Sequence, residues 1–313
     1  MQLKSLEVGK LHIKNNLFLA PLAGYTNAVF RQMCTKLGAG LTFTEMVSAK
    51  GLCYNSENTK SLLFLPDDYE GVKAVQLFGA DPEFMKRAAN SEEIAPFDLI
   101  DINMGCPMPK IYKNGEGSAL LENIPLAQAV VRAAKSSGKE VSIKFRIGID
   151  EEHLITRDFA VAMEDAGADI ITIHGRTRDK IYSGGVNFDE IAKAKLAVKI
   201  PVIANGGVFE RCDAEKLLNN TGADGVMVAR GAMYDPFIFA RITDTPVEHK
   251  KQIIKRQLDK TYLYYDSRFA TVYMRKMIAF YLKGQPNSTQ TRVKLMSCNT
   301  KEEIENILED SFN

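Results

Sequence analysis

FDLIDINMGCPMPKIYKNGEGSALL, residues 97–121, holds two kinds of chain in one stretch. Residues 97–102 form a short apolar run of the length and content of a buried strand. Gly105, Cys106 and Pro107 then break it, because neither helix nor strand continues easily through such a sequence. Glycines at 105, 115 and 117 give the loop freedom to move, and Ala119-Leu120-Leu121 reads as the start of the next helix. A strand that ends in a thiol-bearing loop and feeds a helix is a βα unit with chemistry at its strand end. An unperturbed thiol, with a pKa near 8.5, is mostly protonated at neutral pH, so Cys106 on a closing loop is a candidate proton donor. The plain alternative is a small buried residue.

Outward from this unit the theme recurs. Eight short β-branched or Leu-rich runs occur, at 17–20, 41–44, 73–77, 98–102, 141–145, 169–173, 201–204 and 224–229. Amphipathic stretches such as 124–135 and 157–166 lie between them, at spacings of roughly 20 to 40 residues that predict βα units in parallel order. Eight such units predict a closed (β/α)8 TIM barrel, with an open doubly wound sheet as the competing arrangement. No GxGxxG follows the first run, which counts against the dinucleotide-binding form of that alternative.

Composition sets the frame. A chain of 313 residues, 45% hydrophobic and 25% charged, has room for one barrel of about 250 residues and an appendage or for two ordinary domains. The expected division is a barrel over 1–242 and a smaller all-α domain over 243–313. No run of 18 apolar residues and no signal-peptide layout at the N-terminus predict a cytoplasmic protein without a membrane partner. Five cysteines, at 34, 53, 106, 212 and 298, lack CxxC or CxxH spacing, so neither a disulfide framework nor a metal site is expected.

In a parallel barrel the chemistry sits where the strands end. Here the ends carry Pro21-Leu22-Ala23-Gly24, Glu45, Gln76, Asn103 with Cys106, Lys144 with Arg146, His174 with Arg176 and Arg178, Asn205-Gly206-Gly207, and Ala229-Arg230-Gly231. Each alone has a dull explanation as surface charge, core residue or turn, yet all eight ends are expected on one rim. Glycines after the seventh run and Arg230-Gly231 after the eighth suit a phosphate group, through bare backbone N–H groups. Gln76 and Asn103 offer amide donors and acceptors to a heterocycle edge, and Lys144 adds a cation where a reduced flavin ring gathers negative charge. FMN fits this set better than FAD, since no adenosine-binding fingerprint is present. A Schiff-base lysine of aldolase type is the other reading of Lys144, with Arg146 depressing its pKa; it leaves Gln76, Asn103 and the loop thiol without a role.

Beyond Asp235-Pro236-Phe237 the βα rhythm stops and the sequence turns helical, with a break over 283–289. Residues 250–294 hold eleven Lys or Arg against two Asp, a local excess of nine positive charges in a chain whose total is +1. Such segregation points to a polyanion. Tyr262, Tyr264, Tyr265, Phe269, Tyr273, Phe280 and Tyr281 lie among them, as candidates for base stacking or for core.

With APLAG, VQLFG, NMGCPMPKIYKNGEGSALL, KFRIG, HGRTR, IANGG and MVARG in this order and a helical tail, the chain resembles the tRNA-dihydrouridine synthases, in particular their bacterial B-type branch. It departs from that branch at Met277, after Arg275-Lys276, where a histidine is expected. The resemblance implies FMN at the barrel mouth, held by Pro21, Leu22, Ala23, Gln76, Lys144, His174, Asn205, Gly206, Gly207, Ala229, Arg230 and Gly231. It further implies reduction by NADPH in preference to NADH, a flipped uridine of the tRNA D-loop as substrate, and Cys106 as the acid that protonates C5 after hydride reaches C6. Asn103, Arg146, Arg176, Arg178, Arg275 and Lys276 are the expected contacts to uracil or RNA, and a monomer is expected. Two competing functions are an FMN-dependent dihydroorotate- or dihydropyrimidine-type dehydrogenase acting on a free base, and an RNA-binding or chaperone protein whose flavin is vestigial.

Overall fold

Eight short strands close on themselves in the computed structural model, which describes residues 3–247, 249–283 and 288–311. A two-stranded antiparallel hairpin, β1 (Leu6–Val8) and β2 (Leu11–Ile13), precedes them. The barrel strands are β3 (Leu17–Leu19), β4 (Leu41–Ser48), β5 (Lys73–Phe78), β6 (Leu99–Met104), β7 (Glu140–Arg146), β8 (Ile170–His174), β9 (Val202–Asn205) and β10 (Gly225–Val228). They pair in parallel in chain order, and β10 returns to β3. The chain is thus a (β/α)8 TIM barrel followed by helices, as the eight runs predict.

The two-residue period of each strand sorts its side chains. Val75, Leu77, Ile100, Ile102, Val141, Ile143, Ile171, Ile173 and Val202 face the surrounding helices in one large buried cluster. Phe18, Phe43, Ala74, Leu99, Ile170, Ile203 and Met227 fill the barrel interior in a second, together with Leu6, Val8 and Ile13 of the hairpin. The hairpin therefore stops the bottom of the barrel with apolar side chains. Higher up, register places Gln76 beside Asp101 and Asp101 beside Ser142, then Asn103 beside Lys144, then Arg146, His174 and Asn205 in succession. The interior changes from apolar to polar on the way to the mouth.

Local signals begin the helices. Asn27, Asp81 and Asn187 accept from backbone N–H groups at three helix starts. The segment read as a helix start at Ala119 is a 3-10 turn, Gly117–Glu122, and the α-helix begins at Ile124 with Asn123 as its cap and Pro125 in its first turn.

After the barrel come the helices Lys250–Tyr264, Ser267–Tyr281, Ser288–Ser297 and Lys301–Ser311. The break expected over 283–289 falls largely on 284–287, outside the described residues. Most of the aromatic residues in this region join it to the barrel: Tyr264 and Tyr265 pack on Phe64, Phe280 packs on Tyr25, and the Tyr273 hydroxyl donates to the Tyr25 carbonyl at 2.6 Å. Phe269 is half exposed against Tyr265 and Tyr273. Among the described residues no helix is long and apolar enough to cross a membrane.

Candidate active site

A cavity of about 580 Å³ opens at the C-terminal ends of the strands, within the ~300–1,000 Å³ range of small-molecule sites. Pro21, Leu22 and Ala23 line one wall, and Gly206, Gly207, Ala229, Arg230 and Gly231 line another. Asn103, Cys106, Lys144, Arg146, His174, Arg176 and Asn205 complete it. The structure thus gathers most of the residues singled out from the sequence around one space.

Of the expected cofactor and substrate contacts, four others lie elsewhere. Gln76 is fully buried beneath the cavity, where its Nε2 donates to Asp101 at 2.6 Å and its Oε1 accepts from Asn103 at 2.9 Å. Arg178 stacks on the Tyr112 ring at 3.5 Å. Arg275 donates to the carbonyls of Met296 and Cys298, tying two C-terminal helices together. Lys276 sits just outside the rim, donating to the Gly24 carbonyl at 2.6 Å and lying 4.0 Å from the centre of the Tyr25 ring.

Cys106 is held by its backbone. Its N–H donates to Asn103 Oδ1 at 2.9 Å, and its carbonyl accepts from the Ser118 N–H and hydroxyl. The side chain is 9% exposed and faces the cavity. Burial pushes the thiol above its ordinary value, against the Met108 backbone, Arg146 and Lys144, which favour thiolate. It is a protonated thiol at neutral pH, the state an acid requires.

The cations share that space. Burial and the neighbouring Arg146 bring Lys144 down to about 8, while Asp101 opposes the shift. Arg146 is brought down to about 10 by burial and remains charged. It ties two loops together: Nε donates to the Gly105 carbonyl, and Nη1 to those of Thr177 and Ile181. Ile181 has φ +53°, a left-handed conformation unfavourable for a β-branched residue. The next residue, Tyr182, lies across the mouth with its ring centre 4.3 Å from the Arg230 guanidinium.

His174 is forced well below its usual value by burial and then by Lys144, Arg146, Arg176 and Arg230. Arg176, which can only donate, approaches His174 Nε2 at 3.3 Å, so the neutral ring carries its proton on Nδ1. Gly206 and Gly207 have φ +131° and +71°, and a Cβ on Gly206 would meet Val186 at 3.0 Å and His174 at 3.1 Å. Bare backbone is required there.

Asp101, Ser142, Tyr25 and Tyr182 belong to this region without having stood out in the sequence. An acid at alternate spacing with Asn103 inside an apolar run was the visible signal for Asp101. Tyr182 follows HGRTR in a polar loop and gave none.

A family model described as dihydrouridine synthase matches residues 18–313. The tRNA-dihydrouridine synthase B of Pasteurella multocida is 35% identical, over 90% of this chain and 88% of that one. The tRNA-dihydrouridine synthase B of Shewanella oneidensis is 34% identical over 98% of each. Among solved structures, an old yellow enzyme homologue from Zymomonas mobilis superposes with a TM-score of 0.58 over 78% of this chain and 93% of that one. Its identity is 14%, a likeness of barrel fold alone.

Proposed function

Because the chain belongs to the dihydrouridine synthase family, we propose that it reduces a uridine of the tRNA D-loop to 5,6-dihydrouridine, with FMN at the barrel mouth and NADPH as reductant. The observation that carries this reading is a protonated thiol and a cluster of cations facing one cavity. The cavity suits FMN in its donor set: Arg230 and the bare backbone of Gly206 and Gly207 for the phosphate, Lys144 for the polar ring edge, and Pro21, Leu22 and Ala23 against the ring face. Once bound and reduced by NADPH, FMN would supply hydride to C6 of the uracil.

The chain's own residues do the rest. Cys106 gives its proton to C5, and Lys144 stabilises negative charge next to the site. His174, neutral and unable to add a further positive charge, serves as a hydrogen-bonding group toward the cofactor. Arg176 and the amide of Asn103 orient the base. Flipping that base out costs a few kcal/mol, least in an already irregular RNA loop. The helices from Lys250 onward form the second domain, divided from the barrel near 242/243, and they orient the RNA over the mouth.

The decisive experiment is Cys106→Ala. The variant is expected to stay yellow and to form dihydrouridine in tRNA about 10²–10⁴-fold more slowly. Full activity would end the acid assignment. Reoxidation of the prereduced enzyme by free uracil or orotate, and not by tRNA, would move the substrate to a free base.

A further inference from the structure

Asp101 is buried in the barrel interior under the cavity, where the reaction gives it no part. Its Oδ1 accepts from the Ser142 hydroxyl at 2.5 Å and its Oδ2 from Gln76 Nε2 at 2.6 Å. From Gln76 the contacts continue to Asn103, and from Asn103 Oδ1 to the N–H groups of Gly105 and Cys106, at 3.2 and 2.9 Å. This relay has two fixed ends of opposite kind. An ionised carboxylate only accepts and a backbone N–H only donates, while each of the two amides between them can turn either way. Of the four combinations of amide orientation, one satisfies every link, and it is the one present.

We propose that Asp101 is a positioning residue for the Cys106 loop: by accepting from Gln76 it sets the direction of both amides, so that Asn103 presents its oxygen to the loop. With either amide reversed, like groups face each other in a buried space, and with Asn103 reversed the loop also loses the acceptor for two backbone N–H groups. Each lost bond weakens the loop's hold, and an unsatisfied buried group weakens it further. Burial raises the Asp101 carboxyl to about 6, against the Ser142 and Gln76 donors that hold it down, so it is an acceptor at neutral pH. The functional consequence rests on Cys106 being the acid; the hydrogen-bond logic does not.

Four variants test it: Asp101→Leu, Asp101→Asn, Asn103→Asp and the double exchange Asp101→Asn with Asn103→Asp. The readouts are hydrogen-exchange protection of the Gly105 and Cys106 amides in cofactor-free protein, and kcat and KM with tRNA for the Asp101 single variants. Asp101→Leu should lose about tenfold in protection and about 10–100-fold in kcat, with KM for tRNA unchanged. Asp101→Asn should stay near wild type, since its Oδ1 can still accept from Gln76 if the Ser142 hydroxyl turns to accept from Nδ2. Asn103→Asp should lose protection, because two acceptors then face each other. The double exchange should restore it, because reversing Gln76 satisfies every link. An Asp101→Asn as damaged as Asp101→Leu, or a double exchange no better than Asn103→Asp, overturns the proposal. Should Asp101→Leu fail to fold, the exchange pair is isosteric and decides alone. A fully active Cys106→Ala would remove the acid reading and leave the protection results untouched.

Discussion

Lys144 carries a charge that folding must desolvate, and the pH dependence of stability should show it. Its ammonium titrates at 10.5 in the ordinary state and at about 8 in the fold. Between these values the unfolded chain binds more protons, so this group's contribution to stability rises with pH from 8 to 10.5, and its penalty is complete below 8. Lys144→Met should therefore stabilise the cofactor-free protein at pH 7 by on the order of 1–3 kcal/mol. Melting curves should show that advantage narrowing toward pH 10.5 while FMN affinity falls. An advantage constant over this range would mean that packing rather than charge is responsible. At this scale the sequence was legible where a residue's chemical type matches the place it occupies, and Cys106, Lys144, Arg230 and the glycines line the cavity as expected. Gln76 is ambiguous in sequence, because an amide at a strand end looks the same whether it meets a ligand or a neighbouring side chain such as Asp101 and Asn103.

Between elements, Arg146 is the joint that matters most. One guanidinium reaches Gly105 in the loop after β6 and Thr177 and Ile181 in the loop after β8. The planar fork makes this geometry possible, and an ammonium of equal charge cannot reproduce it. Arg146→Lys is thus expected to free both loops, with faster proteolysis within 176–187 and a KM for tRNA raised about tenfold, as befits roughly 1.4 kcal/mol of lost positioning. Unchanged proteolysis would show that the remaining ties, Arg178 on Tyr112 and Arg176 to the Gly184 carbonyl among them, suffice to hold the loops. The eight strands could be read because each is an apolar run with a polar end. The hairpin could not, since its strands LEV and LHI each put a polar residue between two apolar ones and form no apolar run, unlike the equally short LFL of β3. The apolar Ala119-Leu120-Leu121 draws the expected helix start too early, whereas Asn123 and Pro125 carry the true signal for Ile124.

For the molecule as a whole, the basic excess of the helical region is smaller than its sequence implies. Lys251 pairs with Glu309, Lys255 with Glu305 and Lys260 with Asp68, and Lys301 bridges Asp259 and Glu305. Apart from Asp259, those acids lie past residue 294 or in the barrel, so no window over 250–294 could count them. Lys255 should contribute little to RNA affinity until Glu305→Gln releases it. That variant should then steepen the dependence of log K on log salt by about 0.9, the increment for one more phosphate neutralised. A slope equal to wild type would place Lys255 away from the RNA.

The hairpin that stoppers the barrel has a kinetic corollary. Leu6, Val8 and Ile13 seal the floor, and among the described residues the cavity is lined by strand ends and the loops after them, so the electron donor and the nucleic acid are expected to share one entrance. The two visitors take turns, and double-reciprocal plots of initial rate against one at fixed levels of the other should run parallel rather than cross.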